Sequence, residues 1–106
     1  MRDTSSIMQI RAARALQRQI ATGALHYQRK KQLRRLLPLA PEDFRDESPA
    51  TTRAIILHLA QALRDERRRG RAGHWTYDLN RHIGLAQAYR AEQERLEGMG
   101  REQAYG

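Results

Sequence analysis

Cysteine is absent from the chain, which excludes disulfides, thiolate-bound metals and a cysteine nucleophile. Proline is nearly absent too, occurring only at positions 38, 41 and 49, so the strongest helix breakers fall within one short region. Trp75 and Phe44 are the single tryptophan and phenylalanine. No uninterrupted apolar run is longer than Ala54-Ile55-Ile56-Leu57. That is far below a membrane span or the apolar core of a secretion signal, so the expectation is a soluble, cytoplasmic protein with no transmembrane segment.

The arrangements that carry catalysis are missing as well. There is no phosphate-binding glycine loop, nucleophile elbow or paired-histidine zinc motif. His26, His58 and His74 show no metal-ligand spacing, and a zinc site needs three or four converging ligands. Glu42, Asp43, Asp46 and Glu47 lack the alternation and glycine of a calcium loop. Asp78 and His82 share a helical face at i, i+4, a spacing of carboxylate-oriented histidines, but His82 also lies beside Leu79, Ile83 and Ala86, which favours a histidine at the core edge. The chain is expected to be noncatalytic, with neither cofactor nor metal.

What the sequence has in abundance is positive charge. It holds 20 lysines and arginines against 12 acids in 106 residues, for a net charge of +8, and all the bases except Lys30 and Lys31 are arginine. Arginine suits bidentate contacts with phosphate or carboxylate. Residues 1–37 alone carry Arg2, Arg11, Arg14, Arg18, Arg29, Lys30, Lys31, Arg34 and Arg35 against Asp3. Such a surface attracts polyanions, although a solvated arginine face is also the ordinary fate of surface charge.

Periodicity is helical outside the proline region, and no segment shows convincing strand alternation. The expected fold is all-α, a single-domain bundle of three to four helices over about 5–22, 24–37, 49–69 and 76–97. An acidic, proline-bounded linker at 38–48 joins the halves, and a frayed tail is expected at 98–106. Met8, Ala12, Leu16 and Ile20 stack on one face of the first helix, opposite Arg11, Arg14 and Arg18. Leu25, Leu33, Leu36 and Leu37 share a face rotated from that one, which places a break or kink near Thr22-Gly23, with one unbroken long helix as the alternative. Ser48-Pro49 is a helix start with a capping serine and a first-turn proline. Ile55, Ile56, Leu59, Ala60, Ala62 and Leu63 form the inner face of the helix that follows, which Gly70 and Gly73 end. Thr76 is placed to cap the last helix, whose apolar side holds Leu79, Ile83, Ala86, Tyr89 and Leu96, with Trp75 closing over Leu79 as a staple.

The expected polyanion-binding residues are Arg11, Arg14 and Arg18 on the first helix, Tyr27, Lys30, Lys31, Arg34 and Arg35 on the second, and Arg64, Arg67, Arg68 and Arg71 at the end of the third. An aromatic within a basic surface can stack on a base while cations hold phosphates, or it can pack on a neighbouring helix with its hydroxyl at the rim. No recognition helix is evident, because Gln19 and Glu66 stand four residues before Gly23 and Gly70, where a helix-turn-helix usually has a small residue. The leading function is therefore non-sequence-specific contact with RNA or DNA phosphates. The alternative is a protein-interaction module that docks on an acidic partner, or forms a homodimer through Leu57 or through Ile7 and Ile10.

Two blocks also resemble a small, uncharacterised, all-helical bacterial protein family. Gly23-Ala24-Leu25-His26-Tyr27 followed by Arg29-Lys30-Lys31 and Leu33-Arg34-Arg35-Leu36-Leu37 resembles its early helical block. Glu66-Arg67-Arg68, Tyr77-Asp78-Leu79-Asn80-Arg81-His82-Ile83 and Ala91-Glu92 resemble its closing helices, with their Tyr-x-x-x-Arg-His-Ile/Val element. The resemblance implies a helical domain in which Tyr77, Arg81 and His82 form one structural element, and it implies no activity.

Overall fold

The structure is a computed structural model that describes residues 4–105, with side-chain environments described for 6–101. Arg2 and Asp3, counted in the charge above, lie outside the described residues. Among the described residues five helices follow one another: α1 (Thr4–Leu25), α2 (Arg29–Leu36), α3 (Pro41–Arg45), α4 (Pro49–Arg71) and α5 (Leu79–Tyr105). No strand occurs among the described residues. The all-helical expectation therefore holds, with one helix more than expected. The additional helix lies in the proline region, where Pro41 begins α3 and the Asp43 carboxylate accepts the Ala40 N–H at 3.2 Å.

The longest helix, α5, is the spine against which α4, α1 and α2 pack, while α3 packs on α2. Leu33, Leu37, Phe44, Ile55, Leu59, Leu63, Leu85 and Ala88 form the buried core between them. Burying each large aliphatic side chain stabilises the fold by about 1.5–3 kcal/mol before chain entropy is counted. The expected face of α4 is the observed one, because its period holds through Ile55, Leu59 and Leu63. On α5 the core line is instead Leu85, Ala88 and Glu92, whereas Ile83, Ala86, Tyr89 and Leu96 flank it half-buried and Leu79 is exposed.

Gly23 does not break the first helix. A Cβ at this position would collide with the Gln87 side-chain amide, so the glycine lets α1 approach α5 while Gln87 Nε2 donates to the Gln19 carbonyl at 3.2 Å. The break comes at His26–Gln28, just after Leu25, which is 79% exposed rather than in the core. Only the C-terminal part of α1 packs: Leu16 and Ile20 are half-buried and Ala24 is buried, but Met8 is 68% exposed and Ala12 is also in solvent. The outline is accordingly elongated, 57 × 34 × 19 Å.

Ser48 caps α4 as expected, accepting the Thr51 N–H at 3.2 Å. The other end of α4 differs: the helix runs through Gly70 to Arg71, and Gly73, at φ 63°, forms a left-handed cap in which His74 N–H reaches the Arg69 carbonyl at 2.9 Å. Asp78, not Thr76, caps α5 by accepting the Arg81 N–H at 3.2 Å. Trp75 is 88% exposed and stacks on His74, so it closes no staple. Tyr77, which precedes the cap, takes that place and meets His82 one turn into α5. Finally, α5 continues through Gly98 and Gly100 to Tyr105, beyond the expected end at 97. Isolated glycines weaken a helix by about 1 kcal/mol each without ending it.

Candidate polyanion interface

The basic segment of α2 divides into two faces. Arg29 and Leu33 point inward and are buried, with Leu36 half-buried beside them, while Lys30, Lys31, Arg34 and Arg35 lie on the exposed side. Arg29 is spaced four residues before Leu33, so the helical period carries this cation into the core. There its guanidinium forms a fork with Glu92 of α5, Nη2 to Oε1 at 2.6 Å and Nε to Oε2 at 2.8 Å. The remaining donors reach the Asp46 carbonyl at 2.9 Å and the Thr52 hydroxyl at 3.1 Å. Hydrogen bonding to Glu92 raises the Arg29 pKa further, outweighing the effect of burial.

Tyr27 belongs to this internal network. Its side chain is half-buried and its hydroxyl donates to Glu92 Oε2 at 3.0 Å. Burial, then the Glu92 charge, pushes the phenol far above its ordinary range, so it stays protonated. Of the two roles open to this aromatic in the sequence, the structure shows packing on a neighbouring helix with a part-buried hydroxyl contact.

A second internal carboxylate organises the opposite end of the α4–α5 pair. Glu66 is buried; Oε2 accepts Arg69 Nη1 at 2.7 Å and Oε1 accepts the Asp78 N–H at 2.9 Å. Arg81 Nε lies 3.9 Å from the same carboxylate, and its Nη2 donates to the Leu36 carbonyl at 2.9 Å. Arg81 therefore ties the C-terminal ends of α2 and α4 to the first turn of α5.

The cations differ in how far they are neutralised. Arg68 pairs with Asp65 at 3.2 Å, Arg64 donates to Gln61 at 2.7 Å, and the Arg34 guanidinium sits 5.9 Å from the centre of the Phe44 ring. Among the described residues, Arg11, Arg14, Arg18, Lys30, Lys31, Arg35, Arg67 and Arg71 form no ion pair, and all are exposed. Arg35 lines a groove of about 390 Å³ between α2 and α5, with Gln32, Asn80, Arg81 and Gln87. Arg67 and Arg71 line a separate cleft of about 320 Å³ with Gly70, Tyr77 and His82. Arg11, Arg14 and Arg18 stand apart on the unpacked part of α1.

The acidic linker does not lie over these cations. Asp46 accepts the Ser48 N–H at 2.9 Å and the Thr51 hydroxyl at 2.6 Å, which holds its carboxyl below the usual range, the Thr51 bond contributing most. Glu47 pairs with Arg95 at 3.0 Å. Arg29, Glu66, Arg81 and Glu92 are the structurally decisive charges that polyanion reasoning passed over. Their signal was present: Glu66 falls in phase with Leu59 and Leu63, and Glu92 with Leu85 and Ala88, so each is a charge on an apolar stripe.

No helix among the described residues is long and apolar enough to cross a membrane. Comparison of the chain with family models, curated proteins and solved structures finds no match.

Proposed function

We propose that the protein is a noncatalytic binding module that holds RNA or DNA through backbone phosphates without reading sequence. The observation that supports this reading is the separation of roles among its charges. Arg29, Arg69 and Arg81 are engaged by Glu92 and Glu66, whereas Arg11, Arg14, Arg18, Lys30, Lys31, Arg35, Arg67 and Arg71 are exposed and unpaired among the described residues. Exposed cations without carboxylate neighbours are free to displace the counterions condensed on a phosphate backbone. The Tyr27 hydroxyl is committed to Glu92, so the contacts to phosphate rest on the cations. The test is fluorescence anisotropy with mixed-sequence RNA and DNA over a salt series. Log affinity should fall linearly with log salt, and the slope should shrink by roughly one for each phosphate contact removed when Lys30, Lys31 and Arg35 are changed to glutamine. Negligible binding at low salt refutes the reading.

The projecting part of α1 favours a second reading, docking on an acidic protein or self-association. Ile7 and Ile10 are exposed on it, and Leu57 is exposed on α4. A half-helix with apolar side chains in water is marginal on its own and gains from a partner. Sedimentation equilibrium separates the readings: a mass that rises with protein concentration supports self-association, and a constant monomer mass removes it.

A further inference from the structure

The cleft at the α4–α5 turn has a construction that dispersed basic charge does not require. Arg67 and Arg71 stand one turn apart at the end of α4 and line it from one side. Tyr77 and His82 line it from the other. The ring of Tyr77 lies directly on the α4 backbone at Gly70, where an added Cβ would sit 3.0 Å from Tyr77 Cε2. This close approach, which a Cβ at Gly70 would crowd, accompanies a Tyr77 hydroxyl 3.0 Å from His82 Nδ1.

The chemistry of the imidazole follows from the direction of that contact, since the Tyr77 hydroxyl can donate to Nδ1 or accept from it. Burial, and secondarily the Arg67 charge, lowers the His82 pKa, so the ring is neutral near pH 7. A neutral ring whose Nδ1 accepts the tyrosine O–H carries its proton on Nε2, which leaves an N–H donor. Among the described residues, Nε2 has no hydrogen-bond partner. The groups around His82 are Arg67, Arg71 and Glu66 from α4, Tyr77 from the turn, and Asp78 at the start of its own helix. Glu66 is engaged by Arg69 and the Asp78 amide, and Asp78 caps α5, and among the described residues neither carboxylate forms an ion pair with Arg67 or Arg71.

We infer that this cleft is a binding site for a phosphomonoester group, with Arg67 and Arg71 gripping its oxygens and His82 Nε2–H donating to a third, held in place by Tyr77. Two forked guanidiniums and one ring N–H match three nonbridging oxygens carrying up to two charges, more than the two oxygens and single charge of an internal diester. The assignment rests on the proposed function in taking the ligand as the terminal phosphate of a nucleic acid strand, and it distinguishes that end from the internal phosphates held elsewhere.

The test compares two forms of one single-stranded oligonucleotide, 5′-phosphorylated and 5′-hydroxyl, by anisotropy, alongside a titration of inorganic phosphate followed through the His82 ring signals by NMR. The phosphorylated strand should bind roughly tenfold tighter. That difference should vanish in the Arg67→Gln/Arg71→Gln double variant and narrow in His82→Phe, while affinity for the hydroxyl strand changes little in the latter. Inorganic phosphate should shift the His82 signals and raise the pH at which the ring titrates; Tyr77→Phe, which frees Nδ1, should weaken both responses. Equal, salt-dependent binding of the two strands with unmoved His82 signals overturns the assignment and leaves the proposed function standing. Phosphate-induced shifts of His82 without binding of either strand support the phosphomonoester site and refute the nucleic-acid reading. Unmoved signals with no strand binding overturn both.

Discussion

Replacing Glu92 by glutamine tests whether the fold depends on an internal ion pair that surface-charge reasoning overlooks. The substitution keeps shape and removes charge, leaving the Arg29 guanidinium buried with uncharged acceptors alone, the new side-chain amide oxygen, the Asp46 carbonyl and the Thr52 hydroxyl, and facing an amide N–H₂ where a carboxylate oxygen stood. Breaking a buried pair from one side costs about 3–5 kcal/mol, because the surviving charge is neither hydrated nor compensated. Against a total stability of about 5–15 kcal/mol for a domain of this size, that is a large fraction. The double substitution Arg29→Met/Glu92→Leu removes both charges and fills the space with apolar atoms. It leaves the Thr52 hydroxyl without its guanidinium partner, at about 1–3 kcal/mol, whereas the Asp46 carbonyl and Tyr27 hydroxyl are only partly buried and can find water. The double variant should therefore be more stable than Glu92→Gln alone, and the cycle through Arg29→Met and Glu92→Leu should give a coupling of about 2 kcal/mol or more. Urea unfolding followed by circular dichroism measures all of these forms. A cost below about 1 kcal/mol for Glu92→Gln, or a coupling near zero, refutes the argument that this pair is energetically internal.

Two further outcomes follow from the same structure. Gly100→Ala should stabilise α5 by up to about 1 kcal/mol, since among the described residues nothing outside the helix's own backbone lies within 4 Å of the new Cβ and alanine is the better helix former, while Gly23→Ala should lose that gain by displacing Gln87 from the Gln19 carbonyl; the same urea assay ranks them, and a stabilised Gly23→Ala contradicts the close-approach role. The lowered pKa of His82 gives a signed pH dependence: above the unfolded value of 6.5 the ring is neutral in both states and contributes nothing, and as pH falls below 6.5 the unfolded chain takes up a proton that the folded chain resists, so stability declines until the folded pKa is passed. His82→Gln should remove this component, a window that lies above the acid loss expected from Asp46, whose lowered pKa keeps its contribution intact until the carboxylate range near 4; identical pH profiles for the two proteins contradict the placement of His82.

Helix identity was legible from the chain because it depends on neighbours three and four residues apart. The α4 stripe of Ile55, Leu59 and Leu63 and the Ser48-Pro49 start needed nothing beyond local spacing and capping chemistry. Some misread positions are local, such as Asp78 capping α5 in place of Thr76 and the short helix begun by Pro41, and others involve distant partners. Gly23 looks like a helix breaker until Gln87 is placed against it, and Trp75 looks like a staple until Tyr77 occupies that place on Gly70. Met8 continues an apolar stripe that no other helix covers.

By itself, then, the sequence determined an all-helical chain, its proline-bounded turn and its excess of arginine, because propensity, period and charge are properties of short segments. Only the tertiary structure decided which charges are internal. Arg29 and Lys30 are adjacent in one basic run, yet one is buried against Glu92, 63 residues away, and the other stands in water. A buried charge is tolerable only when its counter-charge arrives with matching geometry. That meeting is made by the packing of α2 on α5, and the same packing gathers the ends of α2 and α4 around Arg81 and sets Arg67, Arg71 and His82 around one cleft.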